Sequence, residues 1–100
     1  MNLIYDNLDR IITLCKKYKV KNMSVFGSIL TPRFNEESDV DLSVNMLPEE
    51  DPLIAGENFL NLYLDLHDLL GRRVDLVSED CIRNPYFKEE LEATKQLIYE

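Results

Sequence analysis

The chain has 100 residues, of which 45% are hydrophobic and 30% charged, with a formal net charge of −8. That length suits a single domain, residues 1–100, with one modest core and little left for a separate substrate-binding domain. The acid excess argues against binding nucleic acid through its phosphates, which needs clustered Lys and Arg, and favours steering towards a basic partner.

No apolar run approaches the ~20 residues of a membrane span, and the N-terminal segment lacks a secretory apolar core, so the cytoplasm is the expected compartment. Cys15 and Cys81 show no CxxC spacing and are expected to be reduced thiols rather than a disulfide or metal site.

From Leu3 to Lys19 the apolar residues Ile4, Leu8, Ile11, Ile12, Cys15 and Tyr18 fall on one helical face. Asp6 and Asp9 come early and Lys16, Lys17 and Lys19 late, matching the helix dipole. Val20–Phe26 reads as a strand. Gly27-Ser28 is the tight turn after it, opening a short helix that Thr31-Pro32-Arg33-Phe34 ends, because the residue before a proline avoids the helical region. A polar loop, Asn35–Ser38, leads to a second strand, Asp39–Met46.

Alternation in that strand is clean: Asp39, Asp41, Ser43 and Asn45 on one face, Val40, Leu42, Val44 and Met46 on the other. A loop with the solvated turn Glu49-Glu50-Asp51 follows. A long helix, Leu53–Leu70, then presents Phe59, Tyr63, Leu66 and Leu70, with Leu62 and Leu69 widening the face. His67 stands alone within it and reads as structural or solvent-facing. Gly71 stops this helix. Arg72 and Arg73, placed either to reach a phosphate or to complement the helix end, lead into a third strand, Val74–Val77. Asn84-Pro85 opens a closing helix whose face comprises Phe87, Leu91, Thr94, Leu97 and Ile98. The expected fold is α/β: a mixed sheet of three or four strands, at least partly parallel, with helices on one side and a polar face open.

The chemistry concentrates in the acids. Two strand carboxylates on one face repel each other, and Asp is depleted in strands, so Asp39 and Asp41 need water, a proton or a cation. Val74-Asp75-Leu76 repeats Val40-Asp41-Leu42, so Asp75 can join them if the two runs are neighbours in one sheet. Three carboxylates beside a glycine turn suit one or two Mg²⁺ ions, which take oxygen ligands. Backbone N–H groups of Gly27 and Ser28 at a helix start suit phosphate oxygens.

Gly27-Ser28, ten residues, Asp39-x-Asp41 and then Val74-Asp75-Leu76-Val77 together resemble the nucleotidyltransferases of the polymerase-beta type, and the small size the minimal nucleotidyltransferase branch. The resemblance spans roughly Val20–Ser78. It implies transfer of a nucleoside monophosphate from ATP or another NTP to an acceptor hydroxyl. Gly27 and Ser28 would hold phosphates, Asp39 and Asp41 both Mg²⁺ ions, and Asp75 the second ion and the acceptor proton. Where relatives carry arginines just after Gly-Ser, this chain has Ile29, Leu30, Thr31 and Pro32, and Arg33 is the nearest cation that can substitute. Minimal members resemble antitoxins that adenylylate a tyrosine of an all-helical HEPN toxin, which is the partner implied here. A module that neutralises its partner by contact alone, or transfer to a small molecule, are the alternatives.

Overall fold

The computed structural model describes residues 1–100. The helix expected from Leu3 to Lys19 is two, α1 (Asn2–Asp6) and α2 (Leu8–Lys17). The break is Asn7, whose side-chain amide donates to the Leu3 carbonyl at 2.8 Å. Such local side-chain bonds compete with the helix ladder. Both helices still bury the predicted face, Ile4, Ile11 and Cys15. Burial pushes the Cys15 thiol up to about 12, so it is inert at neutral pH.

Strand β1 (Val20–Phe26) pairs antiparallel with β2 (Val40–Met46). Helix α3 (Pro52–Leu70) then carries the chain across to β3 (Val74–Ser78), which lies parallel to β2. A parallel pair needs such a crossover. Asp51 caps α3 by accepting the Leu53 N–H, and Gly71 ends it at φ +64°, in the left-handed region that glycine enters without penalty. Val40, Leu42 and Val44 are fully buried and pack with Met23, Val25, Leu62 and Leu66, so α1–α3 cover one face of the sheet as the alternation predicts.

The C-terminal segment departs from expectation. Asn84 caps α4 (Pro85–Thr94) by accepting the Tyr86 and Phe87 N–H groups, but Leu97 and Ile98 do not continue that helix. They belong to β4 (Gln96–Tyr99), which pairs antiparallel with β1. The sheet order is therefore β3-β2-β1-β4. The free edge of β1 needs hydrogen-bond partners, and a short apolar run supplies them as readily as it would extend a helix. Helix α4 lies on the face opposite α1–α3, with Phe87 edge-on to Phe26 at 5.9 Å and Leu91 buried.

One ionic strut ties α4 and β4 to that face. Lys95, between them, donates to Glu79 at 2.9 Å and to Glu92 at 3.0 Å, and the Ser43 hydroxyl donates to Glu79 at 3.0 Å. Burial alone would raise the Glu79 carboxyl, but the hydrogen bonds from Lys95 and Ser43 and the Lys95 charge outweigh it and hold it below the ordinary range. Burial likewise opposes charge on Lys95, and Glu79 and Glu92 reverse that, raising it. The strut's stability is present above the unfolded carboxyl value and is lost as pH falls through the lower folded Glu79 value. At the other end it fades as pH rises through the raised Lys95 value. Glu79→Gln is expected to cost about 2 kcal/mol in urea unfolding at pH 7, within the range for hydrogen bonds to charged groups. The variant's stability should also fall less between pH 7 and pH 3 than that of the wild type.

Candidate active site

The site is built where β1 ends against β2. Phe26, the last residue of β1, is register partner to Asp41, and Gly27 follows at φ +76°. A Cβ added to Gly27 would run into the Asp41 carboxylate, so the turn requires glycine for its backbone angle and for the close approach. Gly27–Leu30 forms one 3₁₀ turn, and Ile29 anchors it in the core. The backbone of Gly27-Ser28 is thereby pressed beside a carboxylate.

Asp41 and Asp75 are direct register partners in the parallel β2–β3 pair, so they share one face. Asp41 is pushed up from the ordinary carboxyl range by partial burial, then by the charges of Asp75 and Asp39, while the Ser28 backbone N–H acts in the opposite sense. Asp75 and Asp39 thus both act on Asp41. Asp39 lies just before β2, and its Oδ2 is 3.7 Å from Arg73 Nε in a pair that is largely exposed. Such a pair is weak. With Asp39 turned to Arg73, the three acids do not close into a tight cage. The donor set consists of carboxylates, the hard oxygen chemistry that suits Mg²⁺.

Beside the turn opens a cleft of about 730 Å³. Gly27, Ser28 and Arg33 form one wall, and Phe87, Glu90 and Thr94 of α4 the other. Arg33 makes no ion pair, so its charge is free within the cleft. Arg72 does not complement the end of α3. It donates to the carbonyls of Asn35 and Ser38, each at 3.0 Å. The Glu79 strut and the Arg72 contacts escape sequence reasoning because each joins residues with no periodic relation; the helix of the α4 wall is expected from its cap and its periodic face, but not its place beside the turn.

Residues 9–100 match the family described as polymerase beta, nucleotidyltransferase. The chain belongs to that family. It is 42% identical over 86 residues to a provisionally named protein adenylyltransferase of Methanocaldococcus jannaschii, covering 86% of this chain and 82% of that one. It is 32% identical over 102 residues to the protein adenylyltransferase MntA of Thermococcus cleftensis, covering 97% and 96%. Among solved structures it resembles a tri-AMPylated Shewanella oneidensis HEPN toxin in complex with its MNT antitoxin, with a TM-score of 0.64 and 21% identity over 94% of this chain and 70% of that one. At that identity the likeness speaks for the fold. In this nucleotidyltransferase the turn follows β1, Asp41 and Asp75 are neighbours in β2 and β3, and the cleft opens beside the turn without being lined by any of the three acids.

Gly27→Ala is expected to destabilise the fold by about 1–3 kcal/mol, the cost of a strained backbone region, and to abolish nucleotide binding. Gly56→Ala is the control: an added Cβ there meets nothing within 4 Å. In the helical interior of α3 that change should stabilise by roughly 0.5–1 kcal/mol. Urea unfolding of both variants reads the contrast.

Proposed function

We propose that this nucleotidyltransferase transfers an adenylyl group from ATP to a tyrosine hydroxyl of a helical HEPN-type toxin, and so acts as its antitoxin. The observation that carries the reading is the Gly27 turn pressed onto Asp41, with Asp75 in register beside that acid and a cleft opening beside the turn. The relatives named protein adenylyltransferases and the toxin-bound structural neighbour support a protein acceptor. So does the placement of Asp75, exposed on the edge strand β3 where a second macromolecule can reach it.

Gly27 would present its backbone N–H and Ser28 its hydroxyl to the β- and γ-phosphates, with Arg33 supplying the cation from the same wall. Asp39, Asp41 and Asp75 would hold two Mg²⁺ ions; Asp39 gives up only a weak exposed pair in doing so. Mg²⁺ bound there would neutralise charge on the phosphate oxygens. The acceptor oxygen forms a bond to the α-phosphorus, and the bond from that phosphorus to the pyrophosphate oxygen breaks. Pyrophosphate leaves, and the acceptor proton passes to the Asp75 carboxylate. The Asp41–Asp75 repulsion favours cation binding.

The test is label transfer. The purified chain, Mg²⁺ and α-labelled ATP are incubated with lysate from its source, and a labelled protein band is expected on a denaturing gel. Asp75→Asn should lower that label by about 10²-fold or more, in the range of a lost general base, while nucleotide binding changes only severalfold. A partner captured without label from any of the four NTPs would overturn the transfer reading in favour of neutralisation by contact.

A further inference from the structure

The segment from Thr31 to Asp39 contains no helix or strand, yet it brings Arg33 to the cleft and Asp39 to the acids. Its internal bonds are short-range: the Asn35 N–H donates to the Ser38 hydroxyl at 3.1 Å, and the Glu37 N–H to the Asn35 side-chain oxygen at 2.8 Å. These bonds shape the tip but do not fix it to the sheet. Two contacts do: Phe34 packs against the core, and Arg72 holds the loop carbonyls. One guanidinium nitrogen bridges the Asn35 and Ser38 carbonyls at 3.0 Å each, and the guanidinium carbon lies 4.8 Å from the centre of the Phe34 ring. The next residue continues the tie, since the Val40 N–H donates to the Arg73 carbonyl at 3.0 Å.

We propose that Arg72 is a positioning residue for nucleotide binding, holding Arg33 towards the phosphates by clamping Phe34, Asn35 and Ser38. A guanidinium is planar, so it bonds carbonyls at its edge while its face stacks on an aromatic ring. An ammonium offers the charge without that geometry, so lysine does not replace it. The spacing makes the lever direct: Phe34 adjoins Arg33. Arg72 itself is occupied by the loop, so its effect on a ligand travels through Arg33. The inference rests on the cleft being the nucleotide site.

Binding of a fluorescent ATP analogue with Mg²⁺ is measured for the wild type, Arg72→Lys, Phe34→Tyr, Phe34→Leu, Arg33→Ala and the Arg33→Ala/Arg72→Lys double variant. Amide hydrogen exchange of residues 31–39 is recorded in parallel. Arg72→Lys and Phe34→Leu should weaken binding about five- to tenfold, with faster exchange confined to this segment, whereas Phe34→Tyr, which keeps the ring, should bind like the wild type. The double variant should bind no worse than Arg33→Ala alone, because the clamp has nothing further to position. Multiplying losses would put Arg72 on the ligand itself and overturn the proposal, as would unchanged binding in Arg72→Lys. A wild-type chain that binds no nucleotide would overturn the reading of the cleft, and this proposal with it.

Discussion

Repulsion at Asp41 is the constraint on which the site depends. Its carboxylate sits in a partly buried position, with Asp75 beside it in register, Asp39 nearby and the Gly27 turn closed onto it. The core dictates this crowding: Val40 and Leu42 must face inward, so Asp41 faces outward, and parallel pairing of β2 with β3 then fixes Asp75 at its side. Because Asp41 has a folded value above its unfolded one, its proton favours the fold below the unfolded carboxyl range, and that stabilisation is lost as pH rises through the folded value. At neutral pH the fold therefore carries a local cost, concentrated where function would place a cation.

The rest of the polar face is arranged to hold that cluster without neutralising it. Ser43, one pleat along β2 from Asp41, engages Glu79 rather than an acid of the site. Glu79 in turn takes Lys95, so this half-buried cation serves α4 rather than the acids of the site. Arg73 alone approaches an acid, and it does so loosely and in water. Helix α4, pinned in this way, stands as the second wall of the cleft.

Much of this was legible in the residues. Alternation named the buried and polar faces of β2, the repeated Val-Asp-Leu placed Asp75, and Gly27-Ser28 marked the turn; each is a local pattern with a fixed period or a strict backbone demand. What escaped lacks such a pattern. Leu97 and Ile98 fit a helical face as well as a strand, and only the unpaired edge of β1 decides between them. Asn7 breaks a periodic helix with one side-chain bond. Arg72 precedes β3 by two residues, but its partners stand 34 and 37 residues earlier, so its role exists only once β2 and β3 are neighbours.

Thermal unfolding at neutral pH, with and without Mg²⁺ at constant ionic strength, tests the account most directly in wild type and Asp41→Asn. The wild type should gain about 1–3 kcal/mol at saturating Mg²⁺, seen as a rise in Tm of roughly 4 °C or more. Asp41→Asn, relieved of the repulsion, should be more stable than the wild type without Mg²⁺ and should gain little from adding it. Equal responses in the two proteins, or no response in the wild type, would contradict a cation site built from the mutual repulsion of Asp39, Asp41 and Asp75.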